Sequence, residues 1–341
     1  MIKMAKSVKL EDIAKQVGVS NVTVSKALAD KAGVSEELRQ RIKEIAKQIG
    51  YVPVSSQKAK EKKGTGNIGV LVPYRFIGTS PSFYWAIYQN LVTKLQSKGY
   101  YAILEILEIE DEENCTLPKM IQDQKIDGLI MIGQVGPRYS EFMWKNKISP
   151  VMFLDFYDTH MEYDTIISDG FYGMYRLTDY LIKMGHKEIG FVGTVLATSS
   201  ITDRYFGYRK ALLENGIEFN KEWLVNDRDM ENSTIEVELP EELPTAFACN
   251  NDFAANLVIS RLMERGLSVP DDVSVVGFDN YLYNNISDVQ ITTYEVEMDK
   301  MAEVAVKTLI RKINHKEYVK GVQIVTGHMV IKNTVKKREE N

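Results

Sequence analysis

The sequence predicts a small all-α helix-turn-helix domain followed by an α/β region of two doubly wound parallel-sheet lobes. Three observations carry that expectation. Leu10 to Leu28 holds two short amphipathic helical patterns around Gly18, residues 54–66 interrupt the apolar pattern, and from Asn67 onward short β-rich runs alternate with helical segments. The expected divisions are residues 1–53, a linker at 54–66, and a two-lobed region at 67–341.

The first helix follows from Leu10, Ile13, Ala14 and Val17, which fall at i, i+3, i+4 and i+7 and so share one face. Gly18 stops it. Val19 anchors the turn, and Ser20 is a good N-cap for a second helix whose apolar face is Val24, Ala27 and Leu28. Asn21, Val22, Ser25 and Lys26 are left outward, with Ser20 and Thr23 at the same end. Their chemistry suits base edges in a major groove. Lys26 can donate to guanine, Asn21 and Ser25 can donate or accept, and Val22 can pack on a thymine methyl. Two amphipathic helices around a glycine also occur without DNA binding, so periodicity alone leaves both readings open. A third helix is expected from Ser35 as N-cap, with Glu36 and Glu37 in its first turn and Leu38, Ile42, Ile45, Ala46 and Ile49 as its buried stripe; Gly50 and Pro53 end it.

Residues 54–66, VSSQKAKEKKGTG, have almost no large apolar side chains and read as a linker. Beyond it the expected strands are Ile68 to Val72, Tyr101 to Leu104, Gly128 to Ile132, Val151 to Leu154, Ile189 to Val192, Ala246 to Cys249 and Val273 to Phe278. Helices such as Trp85 to Ser97, Tyr172 to Met184, Tyr205 to Glu214 and Phe253 to Arg265 lie between them.

With 341 residues and 44% hydrophobic content the chain is long enough for more than one core. It has neither an eighteen-residue apolar run nor a signal-peptide pattern, so a cytoplasmic protein without a membrane partner is expected. Cys115 and Cys249 lack CxxC or Cys/His spacing, which argues against a disulfide framework or zinc site; no metal or cofactor is expected. The net charge of -5 conceals an asymmetry. Residues 1–63 hold 14 Lys+Arg against 7 Asp+Glu, and the remainder 28 against 40. A basic module with an acidic remainder is what phosphate contact at one end requires, although a solvated charge run explains the linker lysines equally well.

AKQVGVS followed by TVSKAL, then Gly33-Val34-Ser35 and the run to Gly50, Tyr51 and Pro53, closely resembles the N-terminal domain of the lactose repressor and galactose repressor (LacI/GalR) family of bacterial transcription regulators. NIGVLVP, DYLIKMGHKEIGFVG, PTAFACNND and VPDDVSVVGFDN resemble that family's effector domain, so the likeness spans roughly residues 7–335. It implies a periplasmic-binding-protein-like fold for both lobes, a homodimer on a pseudo-palindromic double-stranded operator, and a sugar-like effector between the lobes. In the family the linker holds a hinge helix whose leucine opens the minor groove. Here Lys60 takes that place and Val54 the place of a usual asparagine, so a kink by apolar wedging is not expected. Lys58 and Lys60 complete the set expected to face DNA. Between Leu224 and Pro244 the family's amphipathic helix is expected to be trimmed or absent.

Ligands of open α/β sheets sit at the C-terminal ends of strands, and in two-lobed versions in the cleft. That directs attention to Asp155, to Asn251 and Asp252, and to Asp279 and Asn280. Matched to the family motifs, Arg204, Asn251 and Asp279 take the positions that grip effector hydroxyls, while Asn280 stands where many relatives carry a second aspartate. Against this, Asp155 and Asp279 can simply cap loops, and Arg204 can pair with Asp203. Phe83 and Tyr84, within a group including Tyr74, Phe76 and Trp85, offer flat faces to a ring, as do Phe156 and Tyr157; such aromatics also commonly pack helices. The histidines His160, His186, His315 and His328 form no catalytic motif. The expected function is a transcription regulator, in all expectation a repressor, controlled by a carbohydrate. A purine or other metabolite is the alternative effector, and a sugar-acting enzyme or a solute-binding protein the alternative classes.

Overall fold

The computed structural model describes residues 9–49, 51, 64–77, 82–146, 148, 150–158, 162–229, 236–281 and 289–338. It divides into two compact units, residues 1–64 and 65–341. Linker residues Val54, Lys58 and Lys60, and the hinge expectation that rests on them, lie outside the described residues, as does His160.

The first unit holds α1 (Leu10–Val17), α2 (Asn21–Leu28) and α3 (Glu36–Gln48). Gly18 closes α1 in the left-handed region at φ 75°, where its N–H reaches the Ala14 carbonyl at 2.9 Å. Ser20 Oγ accepts from Thr23 N at 3.1 Å and Ser35 Oγ from Leu38 N at 3.4 Å, so both expected N-caps form. Ile13, Val24, Ala27 and Ile42 are fully buried where the three helices meet. Each large aliphatic side chain so removed from water contributes roughly 1.5–3 kcal/mol. Arg39 was not expected in this core. It lies three residues before Ile42 and seven before Ala46, on the same stripe of α3, and its guanidinium crosses to the end of α2. Nη2 donates to the Lys31 carbonyl at 2.9 Å and Nη1 to the Ala27 carbonyl at 3.4 Å and to Asp30 Oδ1 at 3.3 Å. Lys43 grips Asp30 as well, at 2.7 Å, and that hydrogen bond holds the Asp30 carboxyl below its ordinary range.

The second unit contains both lobes. In the first lobe β1 (Asn67–Pro73), β2 (Tyr101–Leu107), β3 (Gly128–Ile132), β4 (Val151–Leu154), β5 (Thr165–Ser168) and β11 (Val322–Val325) form one parallel sheet in the order β11-β5-β4-β3-β1-β2. Helices α4 (Phe83–Ser97), α5 (Ile109–Glu113), α6 (Lys119–Gln122), α7 (Pro137–Lys145) and α11 (Met298–Ile313) belong with it. In the second lobe β6 (Ile189–Val192), β7 (Leu224–Val225), β8 (Ala246–Cys249) and β9 (Ser274–Val276) are parallel in the order β7-β6-β8-β9, with α8 (Gly170–Lys183), α9 (Ser199–Glu214) and α10 (Asp252–Glu264). An antiparallel pair, β10 (Thr293–Glu295) with β12 (His328–Val330), extends this lobe through a bridge from Thr292 to Val276.

The chain therefore crosses between the lobes three times, at Ser168–Gly170, at Glu295–Met298 and at Val325–His328. Strands β3, β4, β6 and β8 begin and end where the sequence places them, because each is a run of apolar residues buried on both faces. The residues of the crossings were not foreseen as strands. Among the described residues of 226–229 and 236–245 there is no helix, in keeping with the expected trimming. No helix of the described residues is long and apolar enough to cross a membrane.

Candidate DNA-reading face and effector cleft

The capping of α2 decides which side chains face outward. With Val24 and Ala27 buried, Asn21, Val22, Ser25 and Lys26 are exposed, and Val22 keeps 64% of its surface in water although it is apolar. Ser20 and Thr23 are tied to each other at 2.9 Å as well as through the cap, which fixes the start of the helix. The result is a rigid turn of helix presenting an amide, a hydroxyl, an ammonium and a branched apolar group. Arg39 matters to this face only indirectly, by pinning the far end of α2 to α3.

In the second unit the strand ends converge on Arg204. The helix that carries it, α9, lies tight against α8: a Cβ on Gly207 would overlap the Phe171 carbonyl oxygen, so only glycine permits the approach. Arg204, 4% exposed, donates from Nη1 to the Asn250 carbonyl at 2.6 Å and from Nη2 to Asp279 Oδ1 at 3.0 Å. Its guanidinium carbon stands 4.0 Å from the centroid of Phe278. The expected rival pairing with Asp203 is not made; Asp203 instead accepts from Tyr157 Oη at 2.8 Å. Asp155 follows β4 directly and Asp279 lies three residues past β9, both in the left-handed region, at φ 67° and 99°.

Asp155 belongs to the first lobe, and Tyr84 of α4 donates to its Oδ2 at 3.1 Å. Two further contacts join the lobes beside it. The Ser199 amide at the start of α9 donates to Gln134 Oε1 at 2.6 Å, and the Phe83 ring meets Tyr281 edge-on at 6.1 Å. Burial pushes the Asp155 carboxyl up to about 7; Arg204 opposes that rise and Asp279 adds to it. Asp279 is raised for the same reason, again with Arg204 opposing. One guanidinium thus serves two carboxylates. Asp155 Oδ1, Arg204 Nε and Asn250 Oδ1 are buried with no partner among the described residues, which leaves two acceptors and one donor unsatisfied around Arg204.

The sequence-selected residues fall into two groups. Asp155, Arg204, Asp279 and Tyr84 are brought together, with Phe83 at the lobe boundary. Asn251 is placed otherwise. Its Oδ1 caps α10 by accepting from Ala254 N at 2.7 Å, and its neighbour Asn250 meets Arg204 through its main-chain carbonyl. The signal was present but two-edged, since an asparagine just before a helix serves equally as cap. Asn250 is itself held by Asp227, which accepts from its Nδ2 at 2.7 Å. Of the aromatic group, Phe76 and Phe156 are core: Phe76 lies tilted against Tyr84 at 4.6 Å, and Phe156 stacks on Phe153 at 4.3 Å. His186 is buried between Thr245 and the Lys336 carbonyl, and burial lowers its pKa to about 4, so it stays neutral.

A helix-turn-helix with an open polar face, followed in the same chain by a two-lobed cleft with unpartnered polar atoms, defines a class: regulators that read DNA and respond to a ligand. Comparison with known proteins bears on both parts. Residues 9–54 match the family described as bacterial regulatory proteins, lacI family, and residues 178–335 match the periplasmic binding protein-like domain. The HTH-type transcriptional repressor PurR of Mannheimia succiniciproducens is 28% identical, with 96% of this chain and 98% of that protein covered. The protein of that name from Vibrio campbellii is 26% identical over the same shares. Among solved structures, the lac repressor dimer bound to operator and the anti-inducer ONPF superposes with a TM-score of 0.70 at 22% identity, covering 97% of this chain and all of that one. The CelR–cellobiose complex gives 0.67 at 20%, covering 96% and 99%. The chain belongs to the LacI family, and it is a DNA-binding transcriptional repressor of that family.

Proposed function

We propose that this repressor binds a pseudo-palindromic operator as a homodimer through Asn21, Val22, Ser25 and Lys26, with Ser20 and Thr23 fixing the helix, and that a small neutral ring compound in the cleft controls its affinity. The observation that carries the cleft assignment is the set of buried polar atoms without partners, Asp155 Oδ1, Arg204 Nε and Asn250 Oδ1. A ligand rich in N–H or O–H donors satisfies the two acceptors, and one ring acceptor satisfies Arg204. Differential affinity for the closed and open lobes then shifts the repressor between two DNA affinities.

A purine base or close analogue is the first reading of that ligand. It is supported by the relatives named PurR, which match along nearly their whole length, and by the Phe83 and Tyr281 rings at the lobe boundary. A carbohydrate is the second reading, favoured by the mixed grip of guanidinium and carboxylates and by the cellobiose-bound fold neighbour. A homodimer is required on either reading, because one helix-turn-helix reads only a few base pairs and two-fold partners read both halves of an operator.

A thermal-shift screen of the purified chain against nucleobases, nucleosides, mono- and oligosaccharides and their phosphates separates the readings. A ligand at about 100 times its dissociation constant stabilises its unit by roughly 2.7 kcal/mol. Purine bases as the only hits uphold the first reading, and neutral sugars as the only hits uphold the second. Hits confined to phosphorylated compounds, or turnover of any hit, overturn the cleft assignment.

A further inference from the structure

We propose that Glu295, Glu297 and His328 form a binding site for a divalent transition metal of the zinc class, set across two of the three lobe crossings. One carboxylate oxygen from each glutamate and one imidazole nitrogen lie within 4.8 Å of one another. The imidazole lies between the two carboxylates, Nδ1 3.2 Å from Glu297 Oε1 and Nε2 3.8 Å from Glu295 Oε2, and one of these two nitrogens serves as the ligand.

The backbone makes this meeting obligatory rather than incidental. Glu295 and His328 are directly opposed residues of the antiparallel β10–β12 pair, so their side chains leave the same face of the ribbon. Glu297 follows two residues on, in the crossing that leads into α11. Three donors therefore come from two chain segments separated by more than thirty positions in sequence.

The donor set also selects the metal. Two carboxylates neutralise a divalent cation, and an imidazole nitrogen favours zinc or its neighbours over magnesium and calcium, which take oxygen shells. In a tetrahedral site with metal–ligand distances of about 2.0–2.1 Å the donors stand roughly 3.3 Å apart, so closing the cluster needs only side-chain rotation. The three side chains retain between 37% and 58% of their exposure, which leaves the remaining coordination position open to water. Glu295 is oriented from behind. Asn280 Nδ2 donates to its Oε2 at 2.7 Å, and Lys332 Nζ donates to Asn280 Oδ1 at 2.8 Å, which is the outer-shell support that metal-binding carboxylates use.

A cation held here ties the second crossing to the third. It also sits one strand from the cleft, because Glu295 bridges to Asp279, whose amide donates to the Tyr294 carbonyl at 2.8 Å. Metal binding thus stiffens the pivot on which lobe closure turns. That consequence rests on the effector reading above, whereas the site itself does not.

The test uses the full chain, stripped with a chelator and free of any effector, so that its outcome is independent of what the cleft binds. Zinc is titrated against a chromophoric competitor at about pH 7.5, and cobalt(II) is added separately for its visible absorption. The expected result is one equivalent bound per chain with a tetrahedral cobalt band. His328→Ala and Glu297→Gln should each weaken zinc binding at least tenfold and remove the band, while His315→Ala leaves both unchanged. Melting curves without metal establish that the variants are folded, and Glu297→Gln carries the test should His328→Ala fold poorly. Equal affinity in the wild type and both variants, or no saturable equivalent, overturns the proposal and leaves His328 as a hydrogen-bonding partner of the two carboxylates.

Discussion

Asp155→Asn is the substitution on which the electrostatics of the cleft can be weighed. Asp155 is 4% exposed, and its carboxyl rises from 3.8 to about 7. Below about pH 4 the group is neutral in the folded and unfolded chain alike. Between pH 4 and 7 only the unfolded chain ionises, and above 7 the folded state carries the full cost of a buried charge, about 4 kcal/mol. Asparagine keeps the shape, accepts the Tyr84 hydroxyl and tolerates the φ of 67° at this position, but never ionises. Integrating the two titrations, the variant's advantage over the ligand-free wild type grows by about 2–3 kcal/mol between pH 5 and pH 8.5. For a unit of this size that is a differential rise in melting temperature of roughly 3–6 °C, read by calorimetry at the two pH values. A gap between variant and wild type that is the same at both pH values would refute the reasoning. It would mean that Arg204 keeps Asp155 ionised in the folded state throughout.

Three further outcomes are expected. Lys26→Ala should cost about 1–3 kcal/mol on the operator and little on random duplex, measured by titration at fixed salt, with equal loss on both showing a phosphate contact instead. Arg39→Ala removes the donors that hold the Ala27 and Lys31 carbonyls and should destabilise the first unit by about 2–3 kcal/mol; circular dichroism melting reads this, and an unchanged melt would mean that water replaces the guanidinium without loss. Arg204→Ala and Asp279→Ala should each abolish the thermal shift given by the effector while ligand-free operator binding stays intact, and retention of the full shift in either would remove that residue from the site.

Some of this protein was determined by the sequence alone. The helix-turn-helix was legible because capping and periodicity are local: Ser20, Gly18 and the spacing of Ile13, Ala14 and Val24 act within a turn or two. Strands β3, β4, β6 and β8 were legible because a strand buried on both faces must be apolar throughout. Asp155, Arg204 and Asp279 could be chosen because strand ends are where such folds bind, and the family motifs named the positions.

Tertiary structure alone decided the rest. Strands β5, β10 and β12 are three or four residues long and carry threonine, serine, glutamate or histidine, and β11 is four residues long and largely unburied, so their partners make them strands. Asn251 became the cap of α10 while Arg204 found the main-chain carbonyl of Asn250, a contact set by the path of the chain and not by residue type. Arg39 lies on an apolar stripe, and its burial became affordable only when the end of α2 offered carbonyls to receive it. Glu295, Glu297 and His328 are unremarked in the linear chain because no local spacing joins them; the pairing of β10 with β12 brings them face to face. Local hydrogen bonding and periodicity can be read along a chain, whereas contacts between distant segments exist only once the segments have been packed.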